Sequence, residues 1–317
     1  MIKHVNACDS ASHAAAKSNL LFSRRQSIIV QDILQNNVPN NVPNSKCPVI
    51  LVHGWKSSPH IWSRLIPRLE ESGIEYHLFD HSKKNYSDSL LIADELGEFI
   101  ADIQSRTGYS GAVDIVSHSL GTTITRYLLE VADTERRFKV RRFIGIGPVN
   151  RASTLAELFN DERYAPSILK TLTGVFVPKE FSAAGDPLVQ GVRFGGKLVA
   201  NLSDATKRDD IDYRFIVAVN KTRNPDFFRL FEGKTWVFQG GNPENTPVLT
   251  YDGDGIVALC ESALKGAGYS LLPKDLNYFN EKPGSYCHIL LPTNREAIEC
   301  VIGYLTADNV VSDDYFE

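Results

Sequence analysis

Apolar positions along the chain follow two rhythms. Short runs rich in apolar residues recur as "PVILVHG" from Pro48, "IEYHLFD" from Ile74, "AVDIVSHS" from Ala112, "RFIGIGP" from Arg142 and "YRFIVAV" from Tyr213. Runs of this length, rich in β-branched residues, predict strands buried on both faces. Between them lie amphipathic stretches of helical spacing: "PHIWSRLIPRLEESG" ended by Gly73, a long one from about Asp88 to Arg106, and "GTTITRYLLEVAD". The alternation predicts an α/β architecture, a mostly parallel central sheet with helices on both faces. Later, "TWVFQ" and "TPVLTY" are strand-like, and "TNREAIECVIGYLTA" has the spacing of a final amphipathic helix.

Two regions break the alternation. Residues 1–46 predict an N-terminal extension, with a helical stretch from Ile28 to Leu34 and a turn-rich connector "NNVPNNVPN". Residues 151–210 hold helical fragments ("STLAELF", "SILKTLTGVFV") and glycine-rich turns. A gap of about 60 residues is too long for an ordinary crossover, so an inserted cap or lid is expected there. The core then comprises residues 47–150 and 211–317.

The bulk numbers narrow the class. At 317 residues and 43% hydrophobic, the chain buries a large core. A net charge of −4 argues against a nucleic-acid binder. The basic run Arg136, Arg137, Lys139, Arg141, Arg142 is expected as a solvated helix end and turn. Five scattered cysteines without C-x-x-C spacing signal neither zinc nor a disulfide framework. No secretory signal or bilayer-length apolar run is visible, so a soluble protein is expected, with a lean to the cytoplasm and the oligomeric state open.

The chemistry concentrates at "DIVSHSLGTT", close to a G-x-S-x-G turn between strand and helix. Such a turn needs small residues two before and two after its serine. Ser117 as nucleophile fails, because Ile115 stands two before it. Ser119 fits, flanked by Ser117 and Gly121. A serine needs a base, and the chain order in this architecture is serine, acid, histidine. Of eight histidines only His288 follows Ser119. The acid falls in "TPVLTYDGDGIV", where Asp254 is preferred because D-G-I-V continues into a buried segment, with Asp252 in reserve. The amides of Trp55 and Leu120 are candidate oxyanion donors. Gly54 lets the Trp55 loop approach closely, while His53 and His118 are expected to brace the loop and the elbow. His77, Asp80 and His81 have metal-like spacing but end a strand with no further ligand nearby, so no metal is expected, and no cofactor is required.

With these residues in hand, the chain resembles the serine lipases and esterases of the α/β-hydrolase superfamily, above all bacterial class 2 lipases, through "VILVHGW" and "VDIVSHSLGTTITRYL". The stretch "YDGDGIVALCESAL" is similar to the acid motif of lecithin:cholesterol acyltransferase-like enzymes, which favours Asp254. Two departures stand out: Ser117 replaces the usual glycine, and "GIGPVN" stands where such lipases often have G-T-P. The reading implies an α/β-hydrolase fold with a cap, cleaving lipid or medium-chain esters through an acyl-enzyme, with transient contact to a lipid interface. Leu155, Leu158, Phe159, Leu172, Val175 and Phe176 are the candidate acyl-pocket residues. Acyl transfer by the same machinery and a catalytically silent binding protein are the alternatives.

Overall fold

A computed structural model describes residues 47–84 and 88–307. The expected extension 1–46, with its helix, and Cys8 lie outside the described residues. In chain order the main elements are β1 (Val49–Val52), α1 (Ile66–Glu71), β2 (Tyr76–Phe79), α2 (Ser89–Thr107), β3 (Val113–His118), α3 (Leu120–Tyr127) and β4 (Val140–Ile146). Four short helices follow: α4 (Thr154–Leu158), α5 (Ala165–Leu172), α6 (Pro187–Gly191) and α7 (Lys197–Asp204). The chain then forms β5 (Asp212–Ala218), β6 (Thr235–Phe238), β7 (Pro247–Thr250), β8 (Gly268–Leu272), α8 (Leu276–Glu281) and α9 (Arg295–Thr306).

Six strands form one sheet in the order β2-β1-β3-β4-β5-β8, and every neighbouring pair is parallel. Helices cover both faces of such a sheet, so its inner strands expose neither face: all four residues of β1 and all six of β3 are buried, the polar Asp114, Ser117 and His118 included. The long helix α2 follows from its caps and its stripe. Asp88 accepts the Leu90 amide at 3.0 Å and Gly108 ends the helix in the left-handed conformation. Between the caps, Ile92, Leu96, Ile100 and Ile103 recur every three or four residues and are buried, each worth about 1.5–3 kcal/mol of burial.

Two local expectations are revised. The single helix expected over residues 59–73 divides into a 3-10 turn, Pro59–Trp62, and α1. Pro67 lacks an amide proton and its ring crowds the carbonyl four residues back, so it is accommodated in the first turn of α1 and not in a continuous helix. Arg141 and Arg142 are not at a solvated helix end; they lie in β4. Parallel register sets Arg142 beside Asp114 on one neighbour and Asp212 on the other. Arg142 is buried and meets Asp212 at 2.6 Å, while Arg141 donates to Asp114. The runs "TWVFQ" and "TPVLTY" form strands as expected, β6 and β7, which pair antiparallel as a separate ribbon outside the main sheet. In the inserted region, α7 packs against α3 on the face of the sheet. Cys47, Cys260, Cys287 and Cys300 are free. Among the described residues no helix is long and apolar enough to cross a membrane.

Candidate active site

The edge of the sheet formed by the strand C-termini gathers three distant loops. β3 ends at His118, and Ser119 makes the turn into α3 with φ 55° and ψ −126°. A non-glycine residue rarely adopts that conformation, because its Cβ crowds the neighbouring carbonyl; the strain, of order 1–3 kcal/mol, persists only where the surroundings impose it. They do so here on both sides. A Cβ on Gly121 would stand 2.5 Å from the His53 carbonyl oxygen, and one on Gly54 would stand 2.9 Å from the Ser119 Cβ. The loop after β1 therefore runs directly over the elbow. Ser117 is buried, with its hydroxyl 2.9 Å from that of Thr122, so a small polar residue replaces the usual glycine without a clash.

His288 arrives from the segment between α8 and α9. Its amide donates to the Asp254 carbonyl at 2.8 Å, and its own carbonyl accepts from His118 Nε2 at 3.0 Å. Held at both ends of its backbone, its ring reaches in two directions: Nδ1 lies 2.7 Å from Asp254 Oδ2, and Nε2 lies 2.8 Å from Ser119 Oγ. A carboxylate only accepts, so the proton on the Asp254 side belongs to Nδ1. Nε2 is then the acceptor for the serine hydroxyl.

Asp254 is itself fixed. Its second oxygen, Oδ1, accepts the amides of Ile256 at 3.1 Å and Val257 at 2.7 Å. The side chains of the same two residues face the cleft beside Ser119. Asp252, the reserve acid, lies exposed outside this array.

The cleft that opens on Ser119 has a cavity volume of about 70 Å³ and is walled almost wholly by apolar side chains. Trp55 and Leu120 both line it. Leu120 is the first residue of α3, where amides have no partner in a preceding turn. Of the six residues proposed for an acyl pocket, Leu155, Phe159 and Phe176 face the cleft. Leu158 and Leu172 are fully buried core, and Val175 is 53% exposed. Helical spacing accounts for the division: Leu155 and Phe159 are four apart and share a face, while Leu158 is turned towards the core. Val149, Leu188, Val189 and Val192 complete the wall. Their contribution was hidden in fragments too short for a period to show.

Among the described residues, His53, His77 and His81 meet other groups within the protein. His53 stacks on His81 with centroids 3.8 Å apart, and its Nε2 accepts the His81 amide at 3.1 Å. His81 Nε2 donates to the His53 carbonyl at 2.9 Å, Asp80 stands 3.4 Å from His53, and His77 stands 3.2 Å from Glu75. Burial, reinforced by His53, lowers His81 to about 4, and burial holds His118 well below the ordinary imidazole value. Two residues of consequence had no signal in the sequence read alone. Gly147, at φ +53°, passes so close to the acid that an added Cβ would stand 3.0 Å from His288 Nδ1 and 3.1 Å from Asp254 Oδ2. Glu261, pushed up to about 7 by burial, accepts the Thr154 amide at 2.7 Å and the Ala258 amide at 3.0 Å, joining the start of α4 to the acid loop.

The fold and this arrangement define a class. A family model for the alpha/beta hydrolase fold matches residues 48–245, and the chain belongs to that family. Among solved structures it is similar to the mature lipase BlEst2 of Bacillus licheniformis, at 18% identity and TM-score 0.60, covering 85% of this chain and 96% of that one. It is also similar to lipase B of Aspergillus fumigatus, at 15% identity and TM-score 0.53, covering 86% of this chain and 56% of that one. A metagenomic carboxyl esterase, MGS0156, aligns at 15% identity and TM-score 0.51, covering 85% of this chain and 79% of that one. At these identities the likeness is one of fold. No curated protein sequence matches the chain significantly.

Proposed function

We propose that the protein is a serine carboxylic-ester hydrolase working through an acyl-enzyme on esters with an apolar acyl chain. One observation carries the reading: Asp254, His288 and Ser119 form a continuous hydrogen-bonded row whose hydroxyl opens into an apolar cleft. Ser119 Oγ attacks the ester carbonyl as its proton passes to His288 Nε2. Asp254 keeps the imidazole in the Nδ1–H form and stabilises the imidazolium. Charge gathers on the former carbonyl oxygen, where the amides of Trp55 and Leu120 receive it. Collapse of the tetrahedral intermediate breaks the C–O bond to the alcohol, which takes the proton from His288. Water then repeats the sequence, His288 removing its proton and returning it to Ser119 as the acid leaves. The helices between β4 and β5, excepting α7, act as the cap over the acyl chain, with α4 and α6 forming its inner wall.

The test is turnover of p-nitrophenyl esters of increasing chain length, with and without an emulsion, alongside fluorophosphonate labelling of wild type and Ser119→Ala. An initial burst, labelling lost only in the variant, and a preference for acyl chains over charged groups are expected. Absence of both labelling and turnover would leave a hydrolase-fold protein without this chemistry. Transfer to added alcohol at the expense of hydrolysis would reassign it as an acyltransferase.

A further inference from the structure

The loop that carries the Trp55 amide is not held by its own conformation. Lys56, which follows it, has φ 48°, a left-handed conformation that an L residue keeps only where its surroundings hold it. Its ammonium reaches into the protein and meets Asp186 Oδ2 at 2.9 Å, with the Lys56 side chain 7% exposed and that of Asp186 1% exposed. The same oxygen accepts the Trp55 indole N–H at 3.2 Å. The other oxygen, Oδ1, caps α6 through the amides of Leu188 at 3.1 Å and Val189 at 3.2 Å. The side chains of Leu188 and Val189 are part of the cleft wall. A single buried carboxylate thus joins the residue that supplies an oxyanion amide to the helix that shapes the acyl cleft. Phe159, Phe176 and Phe181 pack on the same indole with centroids 5.4–6.3 Å away, and all three come from the inserted region.

From this network we infer that Asp186 is a positioning residue for the oxyanion site, acting through Lys56 and the Trp55 indole to fix the Trp55 amide. The inference rests on the ester-hydrolase reading given above. Oxyanion donors act by being fixed in place before charge develops, and one well-placed donor is worth about 10²–10³ in kcat. Loosening its support misplaces the donor without removing it. Asp186 touches no reacting atom, so its loss weakens binding of the tetrahedral state more than binding of the planar ester.

The experiment compares wild type, Asp186→Asn, Lys56→Met and Lys56→Arg on p-nitrophenyl butyrate. Rates are normalised to the fraction of sites titrated by a fluorophosphonate, so that misfolded molecules do not count. A boronic acid, whose adduct with serine is tetrahedral, is bound in parallel. Asp186→Asn and Lys56→Met are expected to lower kcat about 10–100-fold with KM changed less than about threefold, and to weaken boronate binding by the same factor as kcat/KM. Lys56→Arg, which keeps the charge and its donors, recovers most of the loss. If normalised kcat and boronate affinity in either folded variant equal those of wild type while only thermal stability falls, the positioning role is wrong and the pair is structural. If wild type itself neither turns over esters nor binds the boronate, the hydrolase reading fails and takes this inference with it.

Discussion

Gly147→Ala puts the smallest possible strain on the acid–base pair. The perturbation is one methyl group, placed 3.0 Å from His288 Nδ1 and 3.1 Å from Asp254 Oδ2. Comfortable separations for a methyl carbon begin at about 3.5 Å, so the pair must retreat by roughly half an ångström. The two atoms being separated lie only 2.7 Å apart, and the backbone bond from His288 to Asp254 stops them from moving together with the loops. A 1 Å misplacement of a catalytic group costs about 10² in rate, and half of that about 10-fold. The ceiling is about 10⁴, the loss when the acid no longer sets the imidazole tautomer. The left-handed φ of residue 147 adds about 1–2 kcal/mol of destabilisation for any L residue. Expected, therefore, is a folded enzyme, less stable by about that amount in urea titration, with kcat down 10- to 100-fold and KM little changed. Stopped-flow burst kinetics on a p-nitrophenyl ester, paired with the unfolding curve, measure both. A folded variant with kcat within about twofold of wild type would refute the reasoning, because the Asp254–His288 contact would then be irrelevant to the rate.

Ser119→Ala should abolish burst acylation, whereas Ser117→Ala should leave kcat intact and cost about 1 kcal/mol of stability through the lost bond to Thr122; the opposite ranking in burst amplitude would move the nucleophile. His288→Ala should reduce kcat by orders of magnitude, leaving about 10³-fold over the uncatalysed rate from the oxyanion site and binding, as read by single-turnover kinetics. Asp254→Asn should lose about 10⁴ in kcat and Asp252→Asn almost nothing; equal losses would mean the acid is misassigned. Stability should decline as pH falls from about 6.5 towards 4, because His81 and His118 stay neutral in the folded chain but take up protons once unfolded. For His81, lowered to about 4, the loss of stability is about 2 kcal/mol at pH 5 relative to neutral pH, and His118 acts in the same direction. Glu261, raised to about 7, works in the opposite sense over the same range, so the diagnostic is the difference in urea midpoint slopes between wild type and His81→Gln; identical slopes would mean that His81 does not carry this dependence.

The sheet was legible because its inner strands are buried on both faces: β1 is apolar throughout, and β3 keeps Val113, Ile115 and Val116 beside polar residues that are buried as well. β8 was missed because Gly268 and Ser270 dilute its run, and its pairing with β5 is visible only in three dimensions. Arg141 and Arg142 misled for a related reason: charge reads as exposure along the chain, but parallel register supplies carboxylates on the neighbouring strands. Ser119, Asp254 and His288 had local signatures of turn chemistry, order and residue type, and the structure brings those three together. Gly147, Asp186 and Glu261 had none. Each matters through a contact made across the fold, and nothing in its immediate sequence neighbourhood records that contact.

Ile256 and Val257 offer their amides to the acid and their side chains to the cleft. Because an amide is the same whatever side chain it bears, selectivity and reactivity are separable at these two positions. Exchanging one aliphatic group for another there reshapes the space for the substrate without altering what the carboxylate senses, whereas proline at either position deletes an N–H and disturbs the acid. On the ester-hydrolase reading, a search for altered substrate range at these two buried positions is confined to aliphatic side chains, with proline excluded by the backbone.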